Sequence, residues 1–509
     1  MSDFSINNKR IAKNTLLLYC RTFFLMVISL YTSRVVLSTL GVDDYGVYNV
    51  VGGFVAMFTV ISGALSSSIS RFITFELGHG DKKKLNLIFS TSINIQIFIG
   101  LLILILGETV GVWFLNNQLN IPTDRLIAAN WVLQCSLITF IINLISVPYN
   151  AAIIAHEKME AFAYVSILEA LLKLAIVYLL LVCKLDKLIL FAILNVVVAI
   201  VIRFVYGVYC RRHFSECIYR FVYEKALLKE MSGFAGWNFM TNGAYVFNTQ
   251  GVNLLINIFF GVSANAARGL ANQVDAAIMQ FVNNFTTAIN PQIIKSYASG
   301  DREAMFKLIC RGAKFSYFML LLFAVPFIYE ADTILKLWLG EVPTYTTTFL
   351  RLTVLASMVN ILGNAQYTAC QATGNIRNYT IIITSVGCLV FPITWLLYKL
   401  GMPVESTYLV FIIIYLILDI VRLILMHSLL QFPIEMFVRK VFIVIAGVSI
   451  ISFIFPLIGV ILLPPTWWRL FVTLAMSTLS IGLSVYLIGL DSSEKKIIIE
   501  IIKAKFKHR

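Results

Sequence analysis

Two stretches 220 residues apart decide how this chain is read: "RFITFELGHGDKKKLN" (Arg71–Asn86) and "PQIIKSYASGDREAMF" (Pro291–Phe306). Gly80-Asp81 falls on Gly300-Asp301, Ile73 on Ile293 and Lys82 on Arg302. Each stretch is a polar interruption in long apolar sequence. Gly41-Val42 falls on Gly261-Val262 at the same offset, and "AHEKMEAF" from Ala155 falls on "ATGNIRNY" from Ala372, bringing Phe162 onto Tyr379. Identity is low at every point. Order and spacing carry the repeat.

The sequence between these landmarks belongs to a membrane. Of 509 residues, 59% are hydrophobic and 13% charged, against about 25% charged in an average globular domain. Too little polar surface is available for water, so the bilayer must be the main solvent. Lys9, Arg10 and Lys13 precede a full-length apolar span with no small-residue cleavage site, which reads as an uncleaved first helix. The eight cysteines are scattered, mostly in or beside apolar spans, and indicate neither a disulfide framework nor a zinc site.

Windows of roughly 20 apolar residues give 14 spans with short connections. The expected fold is therefore an all-α polytopic membrane protein of about 14 transmembrane helices, two pseudo-symmetric six-helix lobes plus two C-terminal helices. Residues 1–210 form the first lobe, 211–235 an interfacial connecting segment, 236–430 the second lobe, and 431–509 the last two spans with a basic tail. Spans one to six repeat as seven to twelve with the same orientation, because six is even. Parallel repeats of this kind occur in transporters that rock two halves about a central site. The repeated Gly-Asp then lies in a turn between the second and third helices of each half. Gly supplies the tight backbone, and Asp81 and Asp301 cap the helix that follows.

Charge sets the orientation. With an even number of spans, 27 of the 40 Lys and Arg fall on the side of the termini, so both termini are expected in the cytoplasm. The net charge of +14 is thus a topology signal, spread over many loops, and no nucleic acid is implied. Two segments read as interfacial helices facing anionic lipid: the loop from Arg211 to Gly233, with Phe214, Ile218, Phe221 and Leu228 at helical spacing, and the tail "EKKIIIEIIKAKFKHR". For the tail, an ordinary connector is an equal reading.

Polar faces point to a site. Asn238, Asn242, Tyr245, Thr249 and Asn253 share one face of span seven. Asn272, Met279, Asn283, Thr287 and Asn290 do much the same on span eight, Thr59, Ser62, Ser66 and Ser70 on span two, and Asn14, Arg21, Ser29 and Ser33 on span one. For any single residue, gluing helices together is the simpler account; for the set, a hydrated cavity is expected. Of the charges within or beside spans, Glu169 with Lys173 and Asp419 with Arg422 can neutralise each other locally and read as structural, while Arg203 and Arg351 sit near span ends and can snorkel. Arg21, Arg34 and Arg268 lack an obvious local partner, and Arg suits bidentate phosphate binding. No P-loop, zinc-protease or G-x-S-x-G pattern is present, so neither ATP hydrolysis nor another catalytic activity is expected, and no cofactor.

With "SRVVLSTLGVDDYGVYNVVGG", "SSSISRFITFELGHGD" and "ARGLANQVDAAIMQFVNNFTTAINPQIIKSYASGD" in view, the chain resembles over its whole length the polysaccharide flippases that move O-antigen or capsule repeat units. These belong to the multidrug/oligosaccharidyl-lipid/polysaccharide exporter superfamily. The resemblance implies two six-helix lobes in a V, the bacterial inner membrane, and an oligosaccharide on a polyprenyl diphosphate as substrate. Membrane lipids and other polysaccharide assembly proteins are the implied partners. The family's cationic cavity maps onto Arg21, Arg34 and Arg268, joined by Asn238, Asn242, Thr249, Asn253 and Asn283 as substrate-binding candidates. Asp275 is the candidate for ion coupling. The rivals are a cation-coupled drug antiporter of the same superfamily, a flippase for a lipid-linked peptidoglycan precursor, and a polytopic glycosyltransferase or polymerase. The last would use Asp43-Asp44, which read more simply as turn residues.

Overall fold

The computed structural model describes residues 22–59, 69, 72–73, 76, 81–156, 158–183, 185–222, 224–373, 377–492 and 494–495. Among them every regular element is helical, in fourteen helices. These are α1 (Thr22–Leu40), α2 (Val42–Ala56), α3 (Lys82–Asn117), α4 (Leu126–Ala155), α5 (Met159–Val182), α6 (Lys187–His213) and α7 (Lys225–Phe260), followed by α8 (Val262–Ala298), α9 (Arg302–Leu339), α10 (Thr346–Cys370), α11 (Arg377–Lys399), α12 (Ser406–Leu430), α13 (Ile434–Leu462) and α14 (Trp467–Gly489). Eleven of them are long and apolar enough to cross a membrane. Large apolar side chains such as Phe98, Val182, Phe204 and Leu462 face outward, as lipid-facing surfaces require and aqueous ones do not tolerate.

The repeated landmarks are matched turns. Gly41 joins α1 to α2 at φ 84°, ψ 171°, and Gly261 joins α7 to α8 at φ 81°, ψ −174°. That backbone region is open essentially to glycine alone. Asp81 accepts from the amides of Lys83 and Lys84 at the start of α3, and Asp301 accepts from that of Ala304 at the start of α9. Both aspartates cap, as expected. Gly80 lies outside the described residues.

Residues 1–269 and 270–509 form two compact units. In the first, Val47, Val50, Val51 and Val55 of α2 pack into a core with Leu133, Leu137 and Leu144 of α4 and Leu188 of α6. Small residues let helices close further: a Cβ on Gly46 would lie 2.1 Å from Val262 O, one on Gly53 2.7 Å from Asn253, and one on Gly269 2.6 Å from Asn49. In the second unit α9 is the central strut and bends beyond Pro326, where Glu330 leaves helical geometry. The buried Glu330 carboxylate accepts from Arg469, Thr473 and Thr333, tying α14 to α9.

One local expectation needs correction. Residues 214–222 are not helical: the chain runs irregularly along α3 until the helix resumes at Lys225. Asn86 donates to the carbonyls of Glu216 and Ile218, Ser90 accepts from the Arg220 amide, and Asn94 donates to the Val222 carbonyl. These three side chains, spaced by four on α3, occupy backbone groups that a helix would need for itself. Arg203, near a span end, stacks on Tyr149, 3.9 Å from the ring centroid. Arg351 pairs with Asp332 and donates to Ile328 O. The tail from residue 496 lies outside the described residues.

Candidate functional site

The centre of α5 carries Glu169 and Lys173 one turn apart, with Lys173 Nζ donating to Glu169 at 2.6 Å. Although joined, their side chains remain 41% and 48% exposed. Charge halfway along an apolar helix needs water or polar protein around it. Two adjoining cavities of about 440 and 250 Å³ supply the space, both touching Tyr48, Glu169, Lys173 and Asn195. The first extends to Ser29 and Ser33 of α1, and the second to Ser136, Thr139 and Asn143 of α4. Tyr45, Tyr48 and Phe191 add aromatic surface. Hydroxyls, amides, an ion pair and aromatic faces together can hold a hydroxyl-rich or charged solute without burying its polar groups unpaired.

An ionic knot lies at the end of this unit where α2, α4 and α6 begin. Arg125 donates to Asp44 and, through Nη1, to Asp186 at 2.7 Å. Asp186 also caps α6 by accepting from the Leu188 and Ile189 amides. Burial pushes its carboxyl up, but the Arg125 guanidinium and those amides outweigh it and hold it below the usual carboxylate range. Asp44 is thus no loop residue: it sits in the first turn of α2, where the helix dipole favours it, and joins three helices.

The residues singled out in the sequence distribute as follows. Thr249, Asn253 and Arg268 come together where α7 meets α8. Arg268 is 2% exposed and donates to Thr249 O. Asn253 accepts from Asn265 and donates to Asn49 O, while Asn257 accepts from the Asn120 amide. Of the described residues on the polar face of span seven, Asn253 joins helices through its side chain and Thr249 through its carbonyl. Arg34 is exposed on α1, and Asn283 on α8. Asp275 accepts from Ser357 Oγ at 2.7 Å. Arg21 and the side chains of Asn238 and Asn242 lie outside the described residues. Among the described side chains, neither Arg34, Thr249, Asn253, Arg268, Asp275 nor Asn283 lines the Glu169–Lys173 cavities. Of the polar set in spans one and two, Ser29 and Ser33 do.

The MatE family model matches residues 19–179, which contain both cavity charges. A structure titled lipid II flippase MurJ, inward closed conformation, aligns at TM-score 0.69 and 14% identity, covering 93% of this chain and 98% of that one. The fold is that of the MurJ and MATE transporters. An inward-facing multidrug resistance MATE transporter aligns at TM-score 0.68 and 13% identity over 79% of this chain and 94% of its own. "Uncharacterized membrane protein EpsK" of Bacillus subtilis (strain 168) is 23% identical over 336 residues, 64% of this chain; the match spans 65% of that relative's length. The MatE match covers the first third of the chain, and the structural likenesses are likenesses of fold. Within that fold the Glu169–Lys173 pair is the feature that sequence reading set aside: an i,i+4 pair looks self-sufficient until α2, α4 and α6 are seen to leave space around it.

Proposed function

We propose that this protein is a transporter that turns an oligosaccharide carried on a polyprenyl diphosphate across a bacterial cytoplasmic membrane. The observation that carries the reading is the reach of the MurJ likeness, over 93% of this chain against 79% for the MATE transporter. MurJ is titled a lipid II flippase, and lipid II is itself a lipid-linked molecule. The two halves of the helical repeat alternate access, with both termini in the cytoplasm. A diphosphate cannot enter hydrocarbon unaccompanied, so cations along the path must accompany it. Arg21, Arg34 and Arg268 take that role. The amide and hydroxyl groups of Asn238, Asn242, Thr249, Asn253 and Asn283 serve the sugar.

A drug antiporter is the second reading. The MatE match and the carboxylate of Asp275 beside Ser357 favour it, and on the comparisons alone it stands level. The two diverge under mutation. If the flippase reading holds, Arg21→Ala and Arg268→Ala each cut glycan export roughly tenfold or more at normal membrane abundance, the cost of one charge-assisted contact. Lys at either position restores it in part, since a point charge lacks the planar fork. Because Arg268 is buried, its variant is scored against protein level. Unchanged export in both variants transfers the weight to Asp275 and drug efflux.

A further inference from the structure

Away from the cavity of the first unit, the second unit holds a small basic pocket. Lys307, Arg311 and Lys314 project from the first turns of α9, and Lys440 joins them from α13. The opposing carboxylates are Asp491 and Glu494, just beyond α14. Glu494 is fully occupied: its oxygens accept from Arg311 at 3.0 Å and Lys314 at 2.8 Å, and from the Asp491 amide. These partners hold Glu494 below the usual carboxylate range in spite of its burial. Lys314 is itself 3% exposed. Lys307 reaches outward to Glu303, and Lys440 has no ion-pair partner among the described residues. Counting Glu303, four cations thus face three carboxylates around a space of about 60 Å³. One water needs roughly 10–15 Å³ on the same measure, so the space admits a phosphate group. Positive charge left in excess within a partly buried pocket is costly unless an anion completes it.

We propose that this pocket seats the phosphate of an anionic ligand, with Lys440 and Lys307 as the cations that recruit it and the Glu494 clamp holding Arg311 and Lys314 in place. The first turns of α9 and the end of α14 lie at the end of the unit assigned to the cytoplasm by its charge, and the cytoplasmic leaflet offers such phosphates as lipid headgroups at high local concentration. Free phosphate presents the same chemistry. The pocket stands whichever solute the protein carries.

Native mass spectrometry of the full chain tests this, with phosphatidylglycerol, phosphatidylcholine or inorganic phosphate added to the detergent-solubilised protein. Phosphatidylglycerol is expected to be retained over phosphatidylcholine, and Lys440→Ala to lower that retention roughly tenfold. Arg439→Ala, which removes the neighbouring exposed cation paired with Glu435, is expected to change nothing. Retention of inorganic phosphate without lipid selectivity, lost in Lys440→Ala, supports the pocket with free phosphate as its ligand. Should Lys440→Ala fail to accumulate, Lys307→Gln on the pocket rim gives the same readout. Equal retention of all additives, or no loss in whichever variant accumulates, or an equal loss in Arg439→Ala, overturns the proposal.

Discussion

Glu169 and Lys173 hold each other while remaining accessible to the cavity. An exposed pair of this kind adds little to stability, so Lys173→Ala should accumulate normally. It should lower transport roughly tenfold or more, because a solute in the cavity loses a charged partner; transport per unit of protein is the measurement, and wild-type rates would remove the pair from the path. Gly46 makes the opposite kind of prediction. Its missing Cβ is what allows α2 to meet the backbone of Val262, and backbone cannot step aside. Gly46→Ala should cost about 1–3 kcal/mol or more through overpacking, whereas Gly52→Ala, with open space around it, should be neutral; thermal unfolding of the two variants side by side decides. At this scale the sequence showed what each residue could do alone. Asp81 and Asp301 cap because a Gly-Asp step before a helix can do little else. Arg268 and Asn253 were legible as costly in a membrane, but their engagement with Thr249 and Asn265 depends on how α7 folds back on α8.

Among the elements, the segment 214–222 is the clearest departure from pattern. Phe214, Ile218 and Phe221 are spaced like a helix, yet the periodicity that matters belongs to a different helix: Asn86, Ser90 and Asn94 present one hydrogen-bonding group per turn of α3. No local rule connects residue 86 to residue 218, which is why the segment could not be read from its own sequence. The triple variant Asn86→Ala, Ser90→Ala, Asn94→Ala should release it, at about 0.5–1.5 kcal/mol for each bond lost. Limited proteolysis should then cut between residues 214 and 224 while α3 and α6 persist; an unchanged cleavage pattern would mean the segment is held by its apolar contacts instead. The all-helical class fared better, because twenty apolar residues between polar breaks have few other fates: of the fourteen expected spans, eleven described helices are long and apolar enough to cross.

For the whole molecule, the Gly41 and Gly261 turns share nearly the same backbone angles at the offset of the sequence repeat, and we propose that they are matched positions of two lobes. What composition could not supply is the solute: a lipid-linked sugar and a cationic drug both need a wet path through apolar helices. The central claim is therefore tested most directly by reconstituting the protein in liposomes with a polyprenyl-diphosphate oligosaccharide and following its accessibility to an external lectin. Transfer well above protein-free vesicles, abolished in Arg21→Ala and reduced in Lys173→Ala, is the predicted result. Transfer no faster than in protein-free vesicles, with proton- or sodium-driven movement of a cationic drug by the same preparation, would contradict it.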